Sequence, residues 1–331
     1  MKTGLAFLGV GHAHAGGKIK AVKGCPRAEL IGLCEPDADT RSRREGEDAF
    51  ADVVWFDSMD ELLAQDDVAG VIIDGLVNEN IALAEASLRA GKHILLEKPA
   101  GTTIADLERL QALASEKDLI IQMGYQFRYT PGFVCLRKLV RDGTLGDIFF
   151  CRARIGKDKA LYDKLEPELR QYPGGTLFEL GCHPLDFIIG LMGKPSGVTG
   201  FLRTDYRDDT PLADNTAAVL EFDGGLGIVE SSMMEIGAGD QRRVEVYGTE
   251  GTAILQPFGA TTVDLTLESD KPPYHKGTQT IDTGSWAMFD RDIDEFIACI
   301  TGERDPEYSA EHDALVQRAL LAVCGVEPWS V

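Results

Sequence analysis

One lysine at the end of an apolar run is the residue of this chain best placed to do chemistry. The run His93–Leu96 is followed by Glu97, Lys98 and Pro99. A buried ammonium group is costly unless it is paired or used, so Lys98 is a candidate to bind a reacting oxygen. A lysine that only extends from a strand end to water would give the same local sequence. The predicted secondary structure around Lys98 is needed to choose between a buried, functional lysine and one that extends to water.

A second group of reactive side chains follows two adjacent glycines, Gly174 and Gly175. If a loop enters a helix here, Glu179 and His183 can reach one pocket. Histidine exchanges a proton near neutral pH, and a neighbouring carboxylate can orient it or hold a substrate hydroxyl. Such a pair is often only a contact on a helix surface, and Asp186 could pair with His183 instead. The flanking glycines favour a site.

A glycine turn near the amino terminus is the third candidate. Gly9 and Gly11 lie between an apolar run and a helical pattern, and Glu35 ends the next apolar run. Glycines there let the backbone approach a pyrophosphate at a helix N-terminus, and an acidic residue can accept hydrogen bonds from ribose hydroxyls. The turn therefore predicts dinucleotide binding. Glu35 would repel a 2′-phosphate, which favours NAD, but NADP stays possible because three arginines are near: Arg41, Arg43 and Arg44.

The elements that must position these residues alternate strand and helix over residues 5–98. Strands are predicted at 5–11, 29–34, 53–56, 70–76 and 93–97, and helices at 13–23 and 78–90. This alternation predicts right-handed βαβ units and a parallel sheet. Ligands bind at the carboxyl ends of such strands, which is where Gly9, Glu35 and Lys98 fall.

The pattern changes past residue 122. Extended segments separated by turns over 144–157 and 196–268 predict an antiparallel sheet, and helices are predicted at 183–192, 286–301 and 310–323. The fold class is therefore α/β, with a dinucleotide-binding domain over 1–122 and a substrate-binding α+β domain over 123–331. Ligand sites commonly lie in the cleft between such domains.

Composition agrees with this arrangement. The chain has 331 residues, of which 44% are hydrophobic, and a net charge of −21 from 33 basic and 54 acidic residues. Such acidity disfavours nucleic acid and anionic membranes as partners. Without a long apolar segment, and with the first strand starting near the amino terminus, we expect neither a membrane span nor a signal peptide. The 7 cysteines lack a C-x-x-C motif, which indicates reduced thiols in a cytoplasmic protein and no zinc site.

Several motifs in a fixed order give the chain a family resemblance. They are G-V-G at 9–11, A-G-K-H at 90–93, E-K-P at 97–99, G-Y-Q-F-R-Y at 124–129 before Pro131, G-T-L-G-D-I at 143–148, and the G-G to H-x-x-D run at 174–186. Over nearly its whole length the chain resembles the glucose-fructose oxidoreductase and inositol dehydrogenase (Gfo/Idh/MocA) family. The resemblance implies an NAD(P)-binding Rossmann domain and a large-sheet domain that often supports homodimers or homotetramers. It also implies hydride transfer between a nicotinamide and a hydroxyl carbon of a sugar, cyclitol or related polyol.

The resemblance also assigns roles to the candidate residues. Lys98 would hydrogen-bond the reacting oxygen, and His183 would be the acid-base group. Glu179 stands where the family usually has aspartate, and its extra methylene moves the carboxylate by roughly a bond length, although catalytic groups need placement within about 0.5 Å. A second departure replaces the family's usual threonine, proline and histidine with Gly75, Leu76 and Asn80, where we expect backbone contacts to the cofactor.

These arguments give the following expected site residues. The expected cofactor-binding residues are Gly9, Gly11, His12, Ala13, Glu35, Gly75, Leu76, Asn80, Glu97, Lys98 and Gln126. The expected substrate residues are Lys98, Tyr125, Arg128, Arg154, Lys157, Glu179 and His183. These residues point toward a pocket for polar or anionic substrate groups, but a position on the solvated surface is an equal alternative for five of them: Tyr125, Gln126, Arg128, Arg154 and Lys157. No metal site is expected.

Three functions fit these motifs. The first is an NAD(P)-dependent sugar or polyol dehydrogenase. The second is a glycosidase or epimerase that retains NAD and oxidises its substrate transiently, which would keep cofactor on purification without net NADH production. The third is a sensor that binds NAD and a sugar without turnover, which the Glu179 change would permit but Lys98 and His183 argue against.

Overall fold

The computed structural model describes residues 2–330, which fall into two compact units. The first unit contains the chain up to residue 126 together with residues 287–314. The second contains residues 127–286 and the chain from residue 315 onward. The predicted domain boundary at 122/123 thus lies close to the first crossing point between the units.

A parallel sheet forms the centre of the first unit. Its strands are β1 (Thr3–Leu8), β2 (Ala28–Cys34), β3 (Gly70–Ile73), β4 (His93–Leu96) and β5 (Ile121–Met123), in the spatial order β2-β1-β3-β4-β5. Leu5, Phe7 and Ile72 are fully buried, as expected of a parallel sheet, whose two faces are both covered. The helices between these strands are α1 (Ala15–Gly24), α2 (Ala38–Glu45), α3 (Met59–Leu63), α4 (Val77–Arg89) and α5 (Ile104–Glu116).

The strand predicted at 5–11 ends at Leu8, before the glycine turn, and two further strand predictions in this unit were wrong in whole or in part. Residues 53–56 form no strand, since Trp55 makes only an isolated bridge to Leu33 and stacks on Phe50 instead. The strand predicted at 70–76 ends at Ile73, because the chain turns there and Leu76 is the N-cap of α4. Strand β5 was missed, and its three residues are too few to show a periodicity.

An eight-stranded mixed sheet forms the centre of the second unit. Its strands are β6 (Ile148–Asp158), β7 (Gly197–Arg203), β8 (Asn215–Phe222), β9 (Gly225–Glu235), β10 (Arg243–Gly248), β11 (Gly251–Leu255), β12 (Thr262–Leu267) and β13 (Gly277–Asp282). Their order is β13-β12-β11-β10-β6-β9-β8-β7, and only the β6–β9 pair is parallel. The predicted mainly antiparallel sheet is confirmed.

The helices of the second unit pack against strands of this sheet. They are α6 (Pro131–Arg141), α7 (Tyr162–Leu169), α8 (Thr176–Glu179), α9 (Cys182–Met192) and α10 (Ala238–Gln241). Cys151, Ala153 and Ile155 of β6 are buried and alternate with Arg152 and Arg154, which are partly exposed. Alternation of this kind places the two sets on opposite faces of the sheet. The face bearing the arginines is called the open face below.

Helix α11 (Asp290–Ile300) returns the chain to the first unit, and α12 (Ala310–Val323) follows it. Phe289, Ile293 and Phe296 join the core that contains Leu5 and Phe7. Helix α11 is shorter than the predicted 286–301. Short 3-10 segments lie at Asp48–Phe50, Gln126–Tyr129 and Lys159–Leu161. Between residues 2 and 330, no helix combines the length and the apolar character needed to cross a bilayer.

Candidate functional site

The glycine turn after β1 lies close against the end of β3. Gly9 has a φ of +76°, and its N–H donates to the carbonyl of Cys34 at 2.9 Å. A Cβ on Gly9 would lie 3.0 Å from the Cα of Gly75, so a larger residue would push the two strand ends apart. The N–H of His12 donates to the carbonyl of Asp74 at 2.9 Å. The turn leads into α1, which gives a pyrophosphate both bare backbone and a helix N-terminus.

Glu35 fixes this turn from the end of β2. The side chain is buried, and its carboxylate accepts hydrogen bonds from the N–H of Val10 at 2.6 Å and of Asp37 at 3.0 Å. A carboxylate has about four acceptor positions, so ribose hydroxyls can still be bound. Glu35 therefore both shapes the glycine turn and offers acceptors beside it.

Arg44 holds the other side of the same turn. Its guanidinium donates to the carbonyl oxygens of three consecutive residues, Val10 at 2.9 Å, Gly11 at 3.0 Å and His12 at 2.8 Å. It also pairs with Glu47 at 3.0 Å. These contacts occupy the donors that a 2′-phosphate would need.

The other two arginines of this segment are placed differently. Arg41 pairs with Glu45 at 2.9 Å and lies over the ring of Trp55. Arg43 is exposed, and its nearest acceptor is the hydroxyl of Thr40 at 3.3 Å. Of the three, Arg43 is the one whose charge faces water.

A buried network of charged side chains lies at the end of β4. The ammonium of Lys18 bonds to Glu97, lies 3.6 Å from Asp74, and all three side chains are at most 1% exposed. His14 Nδ1 is 3.3 Å from Glu97, and His12 Nδ1 is 3.5 Å from Asp74. Burial raises the pKa of the Glu97 carboxyl, but Lys18 and the histidines outweigh it and hold that pKa well below its usual value. Lys18 and Glu97 therefore form an ionised pair.

The two histidines and Glu97 could geometrically surround a metal ion. The Lys18 ammonium already neutralises Glu97, however. Burial lowers the pKa of Lys18, but Asp74 and Glu97 raise it by more, so the net pKa shift is upward. Lys18 thus stays charged and already supplies a positive charge at Glu97. The observed group is an ion-pair network.

Lys98 follows this network directly. Its side chain is 1% exposed, and its Nζ lies 3.9 Å from Glu97. The ammonium therefore does not extend to water. Tyr125 and Gln126, which follow β5, are buried as well, and the N–H of Gly124 donates to the carbonyl of Leu96 at 2.7 Å. The structure therefore groups the E-K-P residues with the end of β5.

The remaining predicted cofactor-binding residues of the first unit lie around Asn80 and the glycine turn. The side chain is fully buried, and neither amide atom has a hydrogen-bond partner among the described residues. A Cβ on Gly75 would lie 3.0 Å from the Asn80 Oδ1. The N–H of Leu76 donates to Glu79 at 3.3 Å, while Ala13 is exposed at the turn. A buried amide without partners beside a glycine turn fits a bound dinucleotide, which would supply polar groups there.

The second unit places Glu179 and His183 on successive short helices. Gly174 and Gly175 have φ values of +73° and +53°, which lets the chain turn sharply into α8. Glu179 ends α8, and His183 lies in the first turn of α9. The His183 ring is buried at 5% exposure, with its centroid 4.9 Å from that of Phe127 in an edge-on arrangement.

Asp186 is engaged by Arg128. The guanidinium donates to both carboxylate oxygens, through Nε at 3.0 and 3.1 Å and through Nη2 at 2.6 Å. Both side chains are buried. Because a bidentate pair of this kind is strong, Asp186 fixes Arg128 to α9. Arg128, which was predicted to bind substrate, is thus paired with a carboxylate of its own unit.

The end of β6 carries the remaining predicted residues and one that sequence reasoning missed. Arg154 pairs with Glu235 at 3.2 Å, and Lys157 lies at an irregularity in the β6–β9 pairing. The missed residue is Arg242, which precedes β10 and donates to the carbonyl of Gly156 at 3.2 Å. Burial lowers the pKa of the Arg242 guanidinium, and the carboxylates of Glu179 and Glu235 offset part of that lowering. Arg242 has no motif around it and could not be found from the sequence.

The parallel sheet, the glycine turn and the acidic residue at the end of β2 define a nicotinamide-dinucleotide-binding protein. Residues 3–125 match the family model described as an oxidoreductase family with an NAD-binding Rossmann fold. Residues 133–254 match the model of the GFO/IDH/MocA C-terminal domain. The chain belongs to the Gfo/Idh/MocA family of NAD(P)-dependent oxidoreductases.

Individual relatives agree with this assignment. The chain is 28% identical over 277 residues to the oxidoreductase YhhX of Escherichia coli, covering 81% of this chain and 75% of that protein. It is 27% identical over 221 residues to the myo-inositol 2-dehydrogenase of Thermotoga maritima, covering 63% of this chain and 62% of the relative. Levoglucosan dehydrogenase, solved with NADH and levoglucosan, has the same fold, with a TM-score of 0.83 at 18% identity over 98% of this chain and 97% of the other.

Proposed function

We propose that this enzyme transfers a hydride between NAD and a hydroxyl carbon of a sugar, cyclitol or related polyol. The observation that carries the proposal is the burial of Lys98 at the carboxyl end of β4, beside the ion pair of Lys18 and Glu97. A buried lysine at this edge of a parallel sheet is suited to bind a reacting oxygen. The named activities of the relatives, on myo-inositol and on levoglucosan, support the polyol class.

The residues of the first unit would hold the cofactor. The turn of Gly9 and Gly11 would bind the pyrophosphate, Glu35 the adenosine ribose, and Asn80 a polar group of the dinucleotide. The bound nicotinamide ring supplies the hydride acceptor or donor. Because Glu35 is acidic and Arg44 is occupied by backbone carbonyls, we propose NAD as the preferred form.

Lys98 and His183 would perform the proton chemistry. In the oxidation direction the hydroxyl proton passes to His183, while Lys98 donates a hydrogen bond to the oxygen as negative charge develops on it. The carbon-bound hydrogen would leave with its electron pair as a hydride to the bound nicotinamide, and reduction would reverse these steps. Glu179 would orient His183 or hold a second hydroxyl. The network around Glu97 would keep Lys98 in place.

A substrate screen followed by one substitution tests this proposal. Sugars, inositols and sugar acids are assayed for NADH absorbance, and the best substrate is used with Lys98→Met. The variant should lose about a hundred- to a thousandfold in kcat, since one charged donor to the developing oxyanion is worth about 2.7–4 kcal/mol, with NADH binding retained. Lys20→Met, at an exposed lysine of the same unit, is the control.

Two results would contradict the proposal. Near-normal turnover by Lys98→Met would remove the lysine from the chemistry. Retained NAD without net NADH formation from any polyol would favour an enzyme that oxidises its substrate only transiently.

We also propose that the protein is a cytoplasmic homodimer or homotetramer that associates through the open face of the large sheet. Phe201 of β7 and Leu226 of β9 lie on this face at 53% and 42% exposure. Exposed apolar side chains on a broad sheet face are typical of protein interfaces. All 7 cysteines are free thiols, which supports a reducing compartment.

A further inference from the structure

Two hydroxyl side chains interrupt the buried, apolar face of the large sheet. Thr216 of β8 and Ser231 of β9 are paired in register and are 5% and 1% exposed. Ala218 and Val229, their neighbours on the same face, are fully buried and apolar. A buried hydroxyl costs free energy unless it is hydrogen-bonded, so these two residues need partners.

The partner is Thr176, the first residue of α8, which is also fully buried. Thr216 donates its one hydroxyl proton to the carbonyl of Ser231 at 2.8 Å. In the 3.1 Å contact between the hydroxyls of Thr176 and Thr216, Thr176 is therefore the donor. The Ser231 hydroxyl donates in turn to the carbonyl of Thr176 at 3.1 Å. These three residues form a closed set of hydrogen bonds, called the hydroxyl ring below, that joins α8 to β8 and β9.

Helix α8 depends on contacts of this kind. It has only 4 residues, far fewer than an isolated helix needs to be stable in water. The N–H of Thr176 donates to the carbonyl of Ala213 at 3.0 Å, and a Cβ on Gly175 would lie 2.4 Å from that oxygen, so glycine is required for this approach. At the other end of α8, the thiol of Cys182 donates to the carbonyl of Glu179 at 3.2 Å. The helix is thus held at both ends.

The carbonyl of Ala213 is fixed by the residue that follows it. Asp214 is fully buried, and its carboxylate accepts from the hydroxyl of Tyr162 at 2.8 Å and from the N–H of Asp205 at 2.9 Å. Its own carbonyl accepts from the N–H of Met233 at 2.9 Å. The backbone that receives the first N–H of α8 is therefore rigidly placed.

We propose that Thr176, Thr216 and Ser231 are positioning residues, because the hydroxyl ring fixes α8 so that Glu179 stays aligned with His183 or a substrate hydroxyl. This proposal rests on the proposed function, in which the Glu179 carboxylate takes part. Glu179 lies one helical turn after Thr176, so a movement at the ring is passed directly to it. Catalytic groups need placement within about 0.5 Å, which makes a small movement costly.

A double-mutant cycle separates positioning from general stabilisation. Thr216→Val removes one hydroxyl of the ring without changing the side-chain shape, on a strand that does not carry Glu179. It should lower kcat/KM on the best substrate of the screen by about ten- to a hundredfold. In a Glu179→Gln background the same change should cost less than about twofold, because no aligned carboxylate is left to lose. Thr216→Ser keeps the hydroxyl and should retain most of the wild-type activity.

A second pair of threonines provides the matched control. The hydroxyls of Thr266 on β12 and Thr278 on β13 are 3.0 Å apart and exposed. Thr266→Val removes the same kind of contact elsewhere in the sheet and should behave as the wild type. Ser231→Ala opens the hydroxyl ring at another step and should repeat the result of Thr216→Val. Circular dichroism identifies the folded variants, and the two ring variants together keep the test decisive if one of them folds poorly.

Hydrogen exchange measured by mass spectrometry tests the anchoring of α8 without a substrate. In Thr216→Val the amides of residues 176–182 should exchange about fivefold faster, the effect of losing one hydrogen bond. Exchange in β1 of the first unit should be unchanged. Thr266→Val should leave both regions as they are in the wild type.

Equal losses of kcat/KM in the two backgrounds would overturn the proposal, because the hydroxyl ring would then stabilise the unit without positioning Glu179. Unchanged kcat/KM in Thr216→Val, or unchanged exchange around α8, would overturn it as well. Failure of the proposed function has a different signature, namely no NADH from any polyol and no effect of Lys98→Met. The exchange of α8 would still respond to Thr216→Val in that case, so the two failures can be told apart.

Discussion

Glu179 has one more methylene than the aspartate usual in its family, and it ends a helix of only four residues. A short helix end can shift by a fraction of an ångström to absorb that length. If the carboxylate orients His183 or a substrate hydroxyl, Glu179→Gln should lower kcat/KM by about ten- to a thousandfold, about 1.4–4 kcal/mol, with the fold intact. Glu179→Asp should be mild. Steady-state kinetics on the best substrate of the screen measures both.

The companion variant His183→Ala separates the carboxylate from the histidine. Unchanged activity in Glu179→Gln together with inactive His183→Ala would place the carboxylate outside the chemistry. Asp186 would be a poor replacement, because both of its oxygens accept from Arg128. Activity in both variants would make this segment structural.

We predict that Glu35 determines whether NAD or NADP is preferred. Its carboxylate lies beside the glycine turn, where it accepts from the N–H of Val10, so a 2′-phosphate bound there would meet a second negative charge. We expect NADH to bind at least tenfold more tightly than NADPH, about 1.4 kcal/mol or more, in calorimetric titrations. Equal or tighter binding of NADPH would indicate instead that Arg43, the exposed arginine of this segment, determines which cofactor is preferred.

At the scale of elements, the last turn of α2, which contains Arg44, stabilises the turn after β1. The three carbonyls held by Arg44 belong to the residues that would approach a pyrophosphate. Arg44→Met should therefore weaken NADH and NADPH equally, by about tenfold or 1.4 kcal/mol, since the loop loses its preorganisation. Arg43→Met is the matched control. A selective loss of NADPH affinity would show instead that Arg44 binds the 2′-phosphate.

The first unit shows what a sequence can reveal about elements. Strands β1, β2, β3 and β4 were predicted because each is a buried apolar run ended by a turn residue or a charge. The run 53–56 was wrongly predicted as a strand because Val53 and Trp55 are apolar, although they pack against the hydrophobic core without forming one. Strand β5 is too short to carry a pattern.

Site residues were predictable only where they lie in local motifs. Lys98 and His183 follow apolar runs or glycines, so their positions could be read from neighbours in the sequence. Arg44 and Arg242 act through backbone carbonyls distant along the chain, at Val10 and Gly156, and such contacts leave no local pattern. The pairing of Arg128 with Asp186 was missed for the same reason.

At the scale of the whole molecule, the open face of the large sheet provides the last prediction. Phe201 and Leu226 are exposed there, beside the ion pair of Arg152 and Glu230 at 2.7 Å. Stable interfaces bury about 1,200–2,000 Å² in total, and homo-oligomers commonly pair identical patches across a twofold axis. We expect the wild type to have the mass of a dimer or tetramer in light scattering after gel filtration. Leu226→Arg should reduce that mass to the monomer, because a charge directed at its own copy is buried unpaired.

A matched substitution keeps this test specific. Val54 is 58% exposed in the first unit, so Val54→Arg adds the same charge away from the open face and should leave the mass unchanged. Circular dichroism should show that both variants are folded. A monomeric wild type, or an unchanged mass in both Leu226→Arg and Phe201→Arg, would mean that the open face does not mediate self-association. Dissociation by Val54→Arg alone would instead locate the interface on the first unit.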